Sequence, residues 1–309
     1  MDGASGVSDL TYDATAPRRF RTMRRPVHAM LLLTLALTAS AASAGPFRGL
    51  IFPAPIEPLD AAALPEGAAF VDVTTTDGLL LRGVASAPAE GRPVVLALPG
   101  NASSAADAFE WTSALRERGF GVMAVGYRGY SGNPGEPSTV GLVKDADAFL
   151  AALRERWPDR AVWIVGHSLG GAVGLDLASR SPPALVLTWG TFSRLRDMAP
   201  DFARGLLPDA FRNVDRARDV DAPWLLVHGL DDPIVPASHG EALHSAASNP
   251  VRRGASVVVM GMDHHVDPER LGRAADVGER FLERGSFDAD GLPTDMKLIP
   301  FGQSVPLNP

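Results

Sequence analysis

The chain contains no cysteine among its 309 residues. Disulfides, thiolate metal sites and a cysteine nucleophile are therefore excluded. Lysine is confined to Lys144 and Lys297, and the formal net charge is -7. No basic cluster occurs in the body of the chain, which argues against a nucleic-acid partner. Long apolar runs are also missing. The longest, at residues 30–39, is too short to span a bilayer comfortably.

That run follows Arg18, Arg19, Arg21, Arg24 and Arg25 and precedes Ala42-Ser43-Ala44. A positive region, an apolar stretch and a small-residue cleavage pattern predict a signal peptide over residues 1–44, with Met23 a possible start. The expectation is export to the periplasm or the medium. The alternative is an uncleaved N-terminal membrane tether. Residues 45–67 are rich in proline and alanine and are expected to form a linker. Residues 68–285 are expected to form one domain, and residues 286–309 a loosely attached tail.

Within the domain, apolar runs alternate with helical patterns. Residues 70–75 and 79–84 flank Asp77-Gly78, a strong hairpin signal. Residues 93–98, 121–125, 161–165, 184–189, 224–228 and 256–260 read as buried strands. Helices are expected at 103–118, 138–156, 236–247 and 267–283. The pattern predicts an α/β architecture, a mostly parallel sheet with helices on both faces. An insertion at about 190–222 is short, so a small cap is expected.

Gly166-His167-Ser168-Leu169-Gly170 lies between the apolar run 161–165 and the small-residue run Gly171-Ala172-Val173-Gly174. This is strand, tight turn and helix, with the Gly-x-Ser-x-Gly form of a nucleophile elbow. Glycines two residues either side of Ser168 let strand and helix approach closely. The helix start aims free N–H groups at the serine, and the amide of Leu169 is placed to stabilise an oxyanion. A second donor is expected after the strand 93–98, from the backbone amide of Asn101. An acyl-transfer serine also needs a base and an acid to orient it, in the order Ser, Asp, His. After residues 224–228 stand two carboxylates, Asp231 and Asp232. After residues 256–260 stand two histidines, His264 and His265. Asp263-His264-His265 lacks metal-site spacing, and no metal is expected. His228 and His167 are expected to be structural.

These residues resemble the α/β-hydrolase superfamily, more narrowly its small exported or membrane-tethered serine-hydrolase branch. The resemblance spans residues 70–284. Pro99-Gly100-Asn101-Ala102 is similar to the branch's His-Gly-Asn-Ala, with proline in place of histidine. Residues 127–138, Tyr-Arg-Gly-Tyr-Ser-Gly-Asn-Pro-Gly-Glu-Pro-Ser, are similar to its glycine-rich loop, which implies that Ser138 caps the next helix. The family wording His-Gly-x-x-Asp-x-x-Val-Pro selects Asp232, and Gly-x-x-His selects His264. The resemblance implies an α/β-hydrolase fold and a cofactor-free serine hydrolase using Ser168, Asp232 and His264. Its substrate would be a small-molecule or lipid-like ester or thioester. A peptidase or amidase and a non-catalytic binding module are the other classes. Trp189 and Phe192, with Leu195, Phe202 and Leu206, are candidates to line an acyl pocket.

Overall fold

A computed structural model describes residues 51–199, 204–205, 207, 209–247 and 253–305. The signal segment, Phe202 and Leu206 lie outside the described residues.

The sheet has nine strands in the order β1-β2-β4-β3-β5-β6-β7-β8-β9. They are β1 (Ala68–Thr74), β2 (Leu80–Ser86), β3 (Val94–Leu98), β4 (Gly121–Ala124), β5 (Val162–His167), β6 (Leu185–Trp189), β7 (Trp224–Gly229), β8 (Gly254–Val259) and β9 (Met296–Pro300). β1 and β2 form the expected antiparallel hairpin. β2 also runs antiparallel to β4. From β4 through β3, β5, β6 and β7 to β8 every pairing is parallel. The expected mostly parallel sheet with helices on both faces is thus observed.

Successive side chains of a strand point to opposite faces, so a sheet covered twice needs apolar residues at every position. β7 shows this directly. Trp224 and Leu226 enter the core beneath the helices Thr139–Arg156, Leu169–Arg180 and Ala237–Ala247, alongside Phe149, Leu175 and Leu243. Leu225 and Val227 enter the opposite core, with Phe109 and with Leu271 and Ala274 of the helix Pro268–Arg284. The caps follow the sequence. Ser138 accepts from the Gly141 amide at 3.0 Å, and Asp267 accepts from the Arg270 amide at 2.9 Å.

Three expectations change. The helix expected at 103–118 is two, Ala105–Trp111 and Ser113–Glu117, meeting at Thr112, whose Oγ1 donates to the carbonyls of Ala108 and Phe109. The tail is not loose over its whole length. Residues 296–300 form β9, antiparallel to β8. Phe301 then packs edge-on against Trp224 and His244, in space left by Gly254. The described part of the linker is also packed. Phe52 is buried in the core, and Asp60 caps a short 3-10 turn, Ala61–Ala63.

The insertion at about 190–222 lies between β6 and β7. Its described part holds a 3-10 turn, Leu195–Met198, a four-residue helix, Asn213–Arg216, and one antiparallel bridge between Arg194 and Arg212.

Candidate active site

The site lies where β3, β5, β6, β7 and β8 end together. Ser168 ends the turn after β5 with φ 50° and ψ -112°. That conformation costs about 1–3 kcal/mol and persists only where neighbours over-determine it. Here the Ser168 amide donates to the Trp189 carbonyl at 2.8 Å, tying the elbow to the end of β6. A Cβ at Gly166 would stand 2.5 Å from the Gly170 carbonyl oxygen, and one at Gly170 would overlap the Leu98 carbonyl. Only glycine fits either position. Ser168 is 8% exposed. The Leu169 amide opens the helix and has no intrahelical acceptor.

β7 and β8 deliver the acid and the imidazole. Asp232 Oδ1 accepts from the amides of Ile234 and Val235 at 2.9 and 2.8 Å. Its Oδ2 lies 2.7 Å from His264 Nδ1. Burial works against the charged form, but the bonds from His264 and the two amides outweigh it and hold the carboxyl below its ordinary pKa. A carboxylate only accepts, so Nδ1 of His264 carries the proton it donates, and in the neutral imidazole Nε2 keeps the lone pair. Gly190, at φ +57°, leaves room for this pair: a Cβ there would meet His264 Nδ1 at 3.2 Å and Asp232 Oδ2 at 3.3 Å. Sequence reasoning missed Gly190. Its only signal is a glycine directly after the β6 run.

The neighbouring residues take other parts. Asp231 is exposed and accepts from the Gly261 amide at 3.0 Å, joining the two loops. The His265 side chain is 91% exposed and lies beside Asp263, against 14% for His264. His228 is buried and its Nε2–H donates to the Val235 carbonyl at 2.8 Å, closing the Asp232 loop. His167 Nε2–H donates to the His264 carbonyl at 2.8 Å, and their rings lie 4.7 Å apart. The histidine loop is thereby fastened to the residue beside Ser168.

Burial first, then the adjacent His264, pushes the His167 pKa down to about 4 from an ordinary 6.5. Between these values the unfolded chain binds the proton and the native chain does not. Stability therefore falls as pH drops through this window, by up to about 3 kcal/mol. Burial holds His228 down as well, in the same direction. Urea unfolding at pH 7, 5.5 and 4.5 should show the loss, with a shallower fall in His167→Gln. An equal fall in the variant would refute the assignment to His167.

Asn101 and Ala102 form the turn after β3, with Ala102 at φ +58°. Asn101 is exposed, and Gly100 before it packs against the His167 ring. Trp189 and Phe192 are placed differently from the pocket expected of them. Trp189 is 1% exposed within one core, and Phe192 is buried in the other, against Phe211. Leu195 is partly buried on that same core. Among the described residues, no group of three or more His, Asp or Glu side chains could hold a metal ion. No described helix is long and apolar enough to cross a membrane.

Known proteins are similar to this chain. A family described as serine aminopeptidase, S33, matches residues 89–208. One described as phospholipase/carboxylesterase matches residues 150–277. An uncharacterised protein of Mycobacterium tuberculosis is 38% identical over 237 residues, 73% of this chain and 82% of its own. The alpha/beta hydrolase domain-containing protein 17B of Homo sapiens is 31% identical over 166 residues, 53% of this chain and 56% of its own. A solved Pyrococcus furiosus esterase superposes with a TM-score of 0.59 at 18% identity, over 74% of this chain and 97% of that one, and so shares the fold.

Proposed function

We propose that this chain, which has the α/β-hydrolase fold and matches two hydrolase families over part of its length, hydrolyses carboxylic esters or thioesters through an acyl-enzyme on Ser168. The observation that carries this reading is the Asp232–His264 pair at 2.7 Å, on loops fastened to the elbow through His167. His264 Nε2 takes the proton of Ser168 Oγ as the oxygen attacks the acyl carbonyl. The amides of Asn101 and Leu169 receive the developing oxyanion, each worth about 3 kcal/mol in comparable sites. His264 then passes the proton to the departing alkoxide or thiolate. Water, deprotonated by the same imidazole, releases the acid and restores Ser168. Asp232 holds the ring in the required tautomer and stabilises its charged form.

A fluorophosphonate probe tests the nucleophile. The wild-type chain should be labelled on Ser168, and Ser168→Ala should not. Absence of label on the wild type, or equal labelling of the two, overturns the reading. The match to a serine aminopeptidase family over residues 89–208 favours one second reading, cleavage of an amide. It differs in needing His264 to protonate an amine. Matched p-nitrophenyl esters and aminoacyl p-nitroanilides separate the two: faster turnover of the ester by 100-fold or more supports the first, and preferred turnover of the anilide supports the second.

A further inference from the structure

Residues 51–58 cross the loops that border the oxyanion side of the site, and they are stitched to both. Asn101 Nδ2 donates to the Ile51 carbonyl at 2.7 Å. The Tyr130 hydroxyl donates to Asn101 Oδ1 at 2.9 Å. The Ser131 amide donates to the Pro55 carbonyl at 2.6 Å. Phe52 is 6% exposed, in the same core as Tyr130 and Leu169. Gly132, at φ +80°, lies 3.3 Å from the Pro58 ring, measured from where a Cβ would be. Both loops need such support. Ala102 and Ser131 hold positive φ without being glycine, a conformation that relaxes unless its surroundings fix it.

We propose that the Asn101 side chain, clamped between the Tyr130 hydroxyl and the Ile51 carbonyl, positions the Asn101 amide for the oxyanion. Residues 51–58 are then a working part of the site and not a passive linker. Asn101 offers one acceptor and two donors on its side chain, and the clamp uses both kinds. Proline at position 99 brings no N–H to the turn, and the Asn101 side chain joins the turn to two neighbouring elements. Tyr130 and Ile51 are positioning groups, since they act through Asn101 and not on substrate. The inference rests on the oxyanion role given above to the Asn101 amide.

The test uses the full chain, a p-nitrophenyl ester and the fluorophosphonate probe. Tyr130→Phe should lower kcat about 10-fold with KM within about twofold, because a displaced oxyanion donor is felt in the transition state and not in ground-state binding. Asn101→Ala should lower kcat by 30-fold or more. Phe52→Ser, which unseats the segment, should lower kcat in the same way. Leu282→Ser should change nothing, since Leu282 is 42% exposed on the helix Pro268–Arg284, away from the site. Thermal unfolding is measured on each variant. Tyr130→Phe and Asn101→Ala at wild-type kcat overturn the clamp, as does a loss that appears only in KM or only in proportion to lost folded protein. If the wild type itself fails to label on Ser168, the hydrolase reading fails first. Labelled wild type with unchanged variants sinks the clamp alone.

Discussion

His264→Ala should lower kcat by at least about 10,000-fold, whereas His265→Ala should stay within about threefold of the wild type. The two residues are adjacent and chemically identical, so the difference comes from where each side chain points. His264 faces Asp232 at 2.7 Å across the space that Gly190 leaves open. His265 faces solvent, and its Nδ1 lies 3.2 Å from the exposed Asp263. An exposed pair of that kind is worth little. KM should change little in His264→Ala, because the imidazole acts on the proton in flight and not on the bound ester. The measurement is steady-state hydrolysis of a p-nitrophenyl ester by both variants. Loss of turnover in His265→Ala with activity kept in His264→Ala would falsify the assignment.

The same pair of residues shows what a sequence can carry. Ser168 is legible because its signal is local. A strand, a turn with glycines at fixed offsets and a helix lie within about fifteen residues, and the close approach of Gly166 to Gly170 follows from that spacing. The loops after β7 and β8 are legible as places, since each follows a continuous apolar run. Which carboxylate and which imidazole turns inward is not written in residue type. The resemblance selected Asp232 and His264, and the geometry gives the physical difference: Asp231 caps a backbone amide across the loops, and Asp232 sits under His264.

Pairings distant in sequence were harder to read. β9 is five residues in a polar, proline-containing stretch, and its stability comes from β8 and from Phe301 on Trp224, not from its own pattern. The segment 51–58 has the composition of a linker, yet Phe52 and two of its carbonyls find partners some 50 to 80 residues away. Trp189 and Phe192 follow a strand near the elbow, where apolar side chains can line a pocket or fill a core. Close packing on both faces of the sheet took them inside.

Arg128→Ala should cost about 3–5 kcal/mol. The glycine-rich loop carries Arg128 into the fold, 7% exposed, above Asp145, which is fully buried. Its Nε lies 2.8 Å from Asp145 Oδ1, and its own amide donates to Oδ2 at 2.9 Å. The rest of the guanidinium reaches the exposed Asp77 at 2.9 and 3.0 Å. Truncation leaves a carboxylate in the core with one amide for company. For a domain of this size the loss corresponds to a fall in Tm of roughly 6–20 °C. Arg128→Lys should fall between, because an ammonium cannot serve both carboxylates with a planar fork. The double variant Arg128→Met, Asp145→Leu should recover part of the loss, since it removes the stranded charge, but not all, since the Arg128 amide then lacks its acceptor. Urea unfolding of the four proteins at pH 7 decides it. A loss below 1 kcal/mol in Arg128→Ala, or a double variant worse than both single ones, would show that the pair is not what holds the glycine-rich loop against the helix Thr139–Arg156.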